Sequence, residues 1–328
     1  MKVNYLRVSI TDFCNLRCIY CRSFIPEVRL ARSELLSFEE MELVIRWMAN
    51  WGIKKVRITG GEPLLRKDIT ILVNMIQKIP GIEEITMTTN GTKLCQFASE
   101  LKQAGLERVN VSLDSLNRKR FFQITGYDKL YEVLEGIKTA QKVGLNPVKI
   151  NVVVLKGINE VEIPDFIKFG LKNSLIVRFI EYMPIGEQNK KSLYLSNITV
   201  KKSIKKHFGA LHPLNFTSLN SKHLTVFTYK GEPAKYYKVG ESESIVGFIS
   251  PISNSFCKEC NRLRLTADGK LYPCLLSNSF EDIKKVLREG EGMEGVKHLF
   301  DLALLKKRSL RNSLHLTLQK RPMFQIGG

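Results

Sequence analysis

"TDFCNLRCIYC" runs from Thr11 to Cys21 and sets Cys14, Cys18 and Cys21 in a C-x₃-C-x₂-C spacing. Structural zinc wants four ligands, and no histidine stands close by to complete a set. A [4Fe–4S] cluster normally takes four thiolates; held by three, it keeps one iron open for a ligand that is not protein. Zinc with a distant fourth ligand is the competing reading. The loop follows a strand-like "NYLRVSI", so it lies at a strand's C-terminal end.

From there to about residue 184 the chain alternates strand and helix. "SFEEMELVIRWMANWG" has Ser37 as N-cap, Glu40 three residues on, apolar positions at helical spacing and a glycine stop. "KKVRITG", "EEITMTT", "ERVNVSLD", "PVKINVVVL" and "LIVRFIEYM" read as strands. "DITILVNMIQKI", "KLCQFASELKQAG", "LYEVLEGIKTAQKVG" and "VEIPDFIKFGLK" read as helices. Roughly six β/α units predict an α/β fold, a partial (β/α)₆ TIM-like barrel. The expected division is 1–184 for the barrel and 185–328 for a C-terminal α+β segment. In the latter "GEQNKKSLYLSN" reads as a linker or lid, "HLTVFTYK" and "RLRLTADGKLYPCL" as short strands, and 280–289 as a helix before a basic tail.

The 328 residues are 44% hydrophobic and 25% charged, the balance of a soluble globular protein. No apolar run reaches the ~20 residues of a membrane span, and no signal peptide is evident, so the expected home is the cytoplasm. Seven cysteines in such a setting argue for ligation rather than disulfides. The net charge is +19, with 27 basic against 20 acidic residues in 1–184 and 24 against 12 in 185–328. That field suits a polyanion (nucleic acid, nucleotide or membrane surface) or is simply a solvated basic surface.

"ITGGEPLL" follows the second strand, where the active-site loops of such barrels sit. Its two glycines would let backbone approach a ligand closely and expose N–H groups. Thr88 and Thr89 in "MTTNG" and Ser112 in "VSLDS" face the same mouth. Near the C-terminus Cys257, Cys260 and Cys274 form a second triad, C-x₂-C-x₁₃-C. A zinc knuckle completed by His298 or His315 is one reading, and a second cluster with an open iron is the other. Arg262 and Arg264 alternate on a strand and so point the same way. Two guanidinium groups beside a cluster would bind phosphates bidentately; alone, R-x-R is a surface pair.

The C-x₃-C-x₂-C loop, with Tyr20 before the last cysteine, resembles the radical S-adenosylmethionine (SAM) superfamily. The whole chain is similar to the GTP 3′,8-cyclase family, which opens molybdenum cofactor biosynthesis. The likeness rests on "LRVSITDFCNLRCIYC", "VRITGGEPLLRKD", "TTNGTKL", "VSLDS", "KINVV", "RFIEYMP", the second triad with "NRLRLT", and "RPMFQIGG". The resemblance implies two [4Fe–4S] clusters, one on Cys14, Cys18 and Cys21 and one on Cys257, Cys260 and Cys274. It implies SAM contacts from Tyr20, Gly61, Ser112 and Met183. It implies a GTP site lined by Arg7, Lys55, Arg57, Thr88, Lys149, Arg262 and Arg264, with Gly327 and Gly328 reaching back into the active site. Otherwise the tail reads as a frayed end, or as a ubiquitin-like Gly-Gly for activation, which would need a small β-grasp domain that is not evident. Implied partners are GTP, SAM, an electron donor, cyclic pyranopterin monophosphate synthase downstream and a second copy of the chain, with no membrane or nucleic acid. A radical SAM enzyme acting on a peptide or tRNA is the alternative activity, and a non-catalytic zinc-binding nucleic-acid module a third class. The chain departs from the family at Phe13, where a basic residue is common, and at Arg22-Ser23, where Met-Pro is common. Cys95 matches no motif and is expected to be a buried helix residue.

Overall fold

The structure is a computed structural model and describes residues 2–21, 30–185, 191–214, 219–221, 224–226, 232–312 and 321–327. Arg22, Ser23, His315 and Gly328 lie outside the described residues, as do the first five residues of the "GEQNKKSLYLSN" stretch.

The alternation is realised as β1 (Tyr5–Ser9), α1 (Phe38–Asn50), β2 (Lys55–Thr59), α2 (Ile69–Gln77), β3 (Glu84–Thr89), α3 (Leu94–Gln103) and β4 (Arg108–Ser112). Then come α4 (Arg118–Thr125), α5 (Leu130–Lys142), β5 (Lys149–Val154), α6 (Ile163–Lys172) and β6 (Ile176–Glu181). The N-terminus of α1 is fixed as its sequence predicts. Ser37 Oγ accepts from Glu40 N–H at 3.1 Å, and Glu40 Oε2 accepts from Ser37 N–H at 2.7 Å. The strands β1 to β6 pair in order and in parallel.

The remaining elements are α7 (Asn197–Phe208), β7 (Leu211–Pro213), β8 (Leu219–Ser221), β9 (Leu224–Val226), β10 (Ala234–Val239), β11 (Ile245–Ile249), β12 (Arg262–Leu265), β13 (Lys270–Tyr272), β14 (Glu281–Asp282), α8 (Ile283–Arg288), α9 (Gly292–Asn312) and α10 (Met323–Ile326). Apart from β8 and β9, which pair as a separate two-stranded sheet, their strands extend the sheet at both edges, in the order β14-β13-β12-β1-β2-β3-β4-β5-β6-β11-β10-β7. β12 adds parallel to β1 and β11 adds parallel to β6. This mostly parallel sheet is the open, partial barrel that the sequence predicts.

Two features were not legible. Residues 292–312, read as a basic tail, form a 21-residue helix. Its buried face carries Val296, Phe300, Ala303 and Lys307, so a lysine interrupts the apolar stripe and disguises it. Cys95, expected to be buried, is exposed. The face of α3 that meets the core is Leu94, Ala98 and Leu101, and Cys95 falls beside it.

Each barrel strand alternates two faces. Leu6, Val8, Val56, Ile58, Ile85, Met87, Val109, Val111, Ile150, Val152, Val177 and Phe179 join the helices in the main core. The intervening positions are mostly polar, Val153, Ile176 and Ile180 excepted, and they line the opposite face.

Candidate active site

That opposite face is cationic. The strand register sets Arg264, Arg7, Arg57, Thr86 and Arg108 side by side across β12, β1, β2, β3 and β4. A neighbouring row runs Arg262, Tyr5, Lys55 and Glu84, and two others bring Asn110 beside Lys149 and Asn151 beside Arg178. Arg7, Arg57, Arg108, Arg178, Arg262, Arg264 and Lys149 are all buried. Burial, together with Arg264, pulls the Arg7 guanidinium well below its ordinary pKa, since the charged form loses water and gains like-charged neighbours. Burial brings Lys149 down to about 7, with Glu232 opposing. Lys149 Nζ donates to Tyr236 Oη at 3.0 Å and stands 3.5 Å from Glu232 Oε1.

The acidic complement is small. Glu84 pairs with Arg108 and, at 3.1 Å, with Lys55. Among the described residues, Nε of Arg178, Nε of Arg262, Oγ1 of Thr88, Nδ2 of Asn110 and Oδ1 of Asn151 are buried without a hydrogen-bond partner. Orphaned donors on buried cations are costly unless an anion meets them. The lumen is therefore shaped for a multiply charged anion with polar groups. The sequence reading missed Arg108, Arg178, Asn110 and Asn151. A charged residue in the middle of "LIVRFIEYM", an otherwise apolar parallel strand, was the available signal.

The first triad sits on the loop after β1, at the C-terminal ends of the strands. Gly61 donates its N–H to Thr11 O at 2.7 Å, and Glu62 N–H donates to Phe13 O at 2.8 Å. A Cβ at Gly61 would meet Phe13 O at 2.3 Å. The Gly-Gly pair thus lets the second loop press against the cysteine loop, and the Gly61 N–H is already engaged. Phe13 serves here through its backbone, which is indifferent to its side chain. Fully buried Glu62 accepts from Thr89 Oγ1 at 2.7 Å, Asn90 N–H at 2.6 Å and Leu64 N–H at 3.1 Å. Burial still pushes its carboxyl up to about 7. Asn90 Nδ2 reaches Asn15 Oδ1 at 2.8 Å and Cys14 Sγ at 3.8 Å.

Tyr20, between two of the cysteines, donates its hydroxyl to Asp114 Oδ2 at 2.5 Å. Asp114 is buried just past β4, and its Oδ1 accepts from Val153 N–H on β5 at 2.8 Å. Burial, and then the nearby Asp114 carboxylate, push the Cys18 thiol upward. Ser112 ends β4 at this mouth, and Met183 follows β6, its carbonyl accepting from Ile185 N–H at 2.9 Å.

The second triad is built on a hairpin. Cys257 and Cys260 flank a 3₁₀ turn ahead of β12, and Cys274 follows β13, which pairs antiparallel with β12. The thirteen-residue gap is this hairpin. Lys307 of α9 donates to Cys260 Sγ at 3.4 Å and to Pro273 O at 3.0 Å, and Arg311 donates to Cys260 O. Burial works against the Cys260 thiolate, yet Arg262 and Lys307 outweigh it and bring the thiol down to about 6. His298 is exposed on α9.

Among the described residues, no three His, Cys, Asp or Glu side chains close on one point as a single ion requires. A cubane, whose irons occupy separate corners, has no such need. Three soft thiols in each group, one group with cationic neighbours that favour thiolate, fit Fe–S ligation.

The chain's end joins the two halves. Gly327 O accepts from Arg264 Nη1. Gly327 has φ +71, and a Cβ there would meet Thr59 Cγ2 at 2.7 Å and Ser9 Cβ at 3.3 Å. Only glycine takes both that backbone and that approach cheaply. Phe324 and Ile326 are buried, and Arg321 Nη2 pairs with Asp268 at 2.8 Å. The described tail is docked at the mouth, not frayed.

The family model for the radical SAM superfamily matches residues 8–170, and that for molybdenum cofactor synthesis, C-terminal part, matches 175–312. The GTP 3′,8-cyclase of Thermodesulfovibrio yellowstonii is 45% identical over 99% of this chain and 98% of its own. That of Petrotoga mobilis is also 45% identical, over the same shares. In fold, the chain resembles SuiB of Streptococcus suis, solved with S-adenosylmethionine, at TM-score 0.61. That match has 17% identity and covers 90% of this chain and 68% of SuiB.

Proposed function

The chain belongs to the GTP 3′,8-cyclase family of the radical SAM superfamily, and on that premise we propose how its own residues carry the reaction. It converts GTP to (8S)-3′,8-cyclo-7,8-dihydroguanosine 5′-triphosphate, the first step of molybdenum cofactor biosynthesis, with SAM and Fe–S clusters as cofactors. Cys14, Cys18 and Cys21 hold one cluster, and Cys257, Cys260 and Cys274 the other. Held at the first triad, the cluster and SAM would supply the one-electron radical chemistry by which C3′ of the ribose is joined to C8 of guanine.

Everything else is positioning by this chain. The Tyr20–Asp114 bond ties the cysteine loop to β4 and β5, and Ser112, Met183 and the Gly61 backbone border the SAM site. The arginine row receives the triphosphate: Arg7, Arg57, Arg178, Arg262 and Arg264 with Lys149, while Thr88, Asn110 and Asn151 meet its polar groups. Such charge-assisted contacts fix the sugar relative to SAM, which is a proximity effect. Lys55 is spent on Glu84 and shapes the row's edge. Gly327, and Gly328 after it, close the mouth beside Arg264. An external low-potential donor supplies electrons, cyclic pyranopterin monophosphate synthase takes the product, and the chain works in the cytoplasm, as a homodimer. Among the described residues no helix is long and apolar enough to cross a membrane.

The observation that carries this reading is the face of buried arginines, with orphaned donors on Arg178 and Arg262, that lies below the loop of the first triad. Anaerobic incubation with SAM, a reductant and GTP tests it, with products read by mass spectrometry. Cyclised nucleotide and 5′-deoxyadenosine should appear together; 5′-deoxyadenosine with GTP recovered unchanged would refute it.

A further inference from the structure

Lys307 is 3% exposed, on the face of α9 that otherwise carries Val296, Phe300 and Ala303. A lysine so deeply buried is expensive unless an anion meets it. Its neighbour Lys306 turns outward and pairs with Glu281 at 2.6 Å. Among the described residues no carboxylate stands within ion-pair distance of Lys307. Its partners are Pro273 O at 3.0 Å and Cys260 Sγ at 3.4 Å, and the sulfur of Cys274 is also near enough to act on its charge. One turn along α9, Arg311 holds the Cys260 carbonyl. Among the described residues, the counter-charge for this buried ammonium is therefore left to the thiol side of the triad.

We propose that Lys307 is a positioning residue of the second triad: its buried ammonium fixes Cys260 toward the cluster and raises that cluster's reduction potential above that of the first. This rests on the reading that the second triad holds an Fe–S cluster. An N–H donated to a ligating sulfur withdraws charge and favours the reduced, more negative state. In the first triad, Cys18 lies in the field of Asp114, of opposite sign, which Tyr20 ties to the cysteine loop; the two clusters are therefore poised apart.

The test uses the full chain with Cys14, Cys18 and Cys21 replaced by Ala, so that a single cluster reports. Iron and sulfide per chain, and the midpoint potential followed by electron paramagnetic resonance (EPR), are compared for Lys307, Lys307→Met and Lys307→Arg. The expected result for Lys307→Met is a lower potential, or loss of iron with native circular dichroism, and recovery in Lys307→Arg. A loaded Lys307→Met cluster at the parent potential would overturn the assignment, as would an arginine variant indistinguishable from the methionine one. If Lys307→Met does not fold, Lys307→Gln, uncharged but still a donor, carries the same comparison. Retention of all iron after Cys257, Cys260 and Cys274 are replaced by Ala would instead refute the cluster reading itself.

Discussion

The two cysteine triads are alike in ligand type and opposite in surroundings. The first lies on a loop at the strand ends, braced by neutral groups from Asn15, Asn90 and Tyr20, with the Asp114 carboxylate as its charged neighbour. The second lies on a hairpin backed by Arg262, Lys307 and Arg311. An anionic neighbour disfavours adding charge to a cluster, and cationic neighbours favour it and attract anions. The first setting suits a centre that must give an electron to SAM, and the second suits one that must receive a nucleotide. On the proposed reading, the same three-thiol device would be turned to two uses by the charges packed around it.

The strongest way to break this comparison is to delete one triad. Replacing Cys14, Cys18 and Cys21 by Ala should abolish SAM cleavage and lower iron from about eight to about four per chain, the content of one cubane. GTP binding should survive, which equilibrium dialysis would show. Removing Gly327 and Gly328 should come next in size. Both clusters should load and 5′-deoxyadenosine should form, with little cyclised nucleotide; unchanged product yield would show that the docked tail is idle.

Arg178→Ala and Arg264→Ala sharpen the second half of the comparison. Each lost charge-assisted contact should cost about 1.5–3 kcal/mol, or about 10- to 150-fold in GTP affinity, with SAM affinity held. The smallest effect is a pH dependence. Lys149 is lowered to about 7 in the free protein, and a bound triphosphate would raise it, so GTP binding takes up a proton above pH 7. Affinity should be flat below that pH and then fall by up to about tenfold per unit as pH rises. Lys149→Met should abolish the slope, and a slope that survives in that variant would assign the proton elsewhere.

Much of this was legible in the sequence because it is local. Cysteine spacing, the Ser37–Glu40 capping box and the strand-helix alternation each depend on residues a few positions apart. The arginine row was half legible. Arg262 and Arg264 stood out by a motif, but Arg108 and Arg178 acquire meaning only when β-strand register lays them beside Thr86 and Asn151. Lys307 was illegible for a further reason. Its helix reads as a solvated basic tail until α9 packs on the hairpin, because a lysine on the buried stripe weakens the apolar period. The Gly-Gly pair of "ITGGEPLL" was recognised, but the Gly61 N–H turns inward to the cysteine loop, a tertiary contact that no local spacing records.

The central claim is that the first triad serves SAM and the second serves GTP. It is tested most directly by EPR of two reduced, anaerobic proteins, each with one triad replaced by Ala, recorded with and without each ligand. The account predicts that SAM alters the signal of the protein that keeps Cys14, Cys18 and Cys21, and that GTP alters the signal of the one that keeps Cys257, Cys260 and Cys274. A first-triad signal that responds to GTP and not to SAM, or a second-triad signal indifferent to GTP, would contradict it.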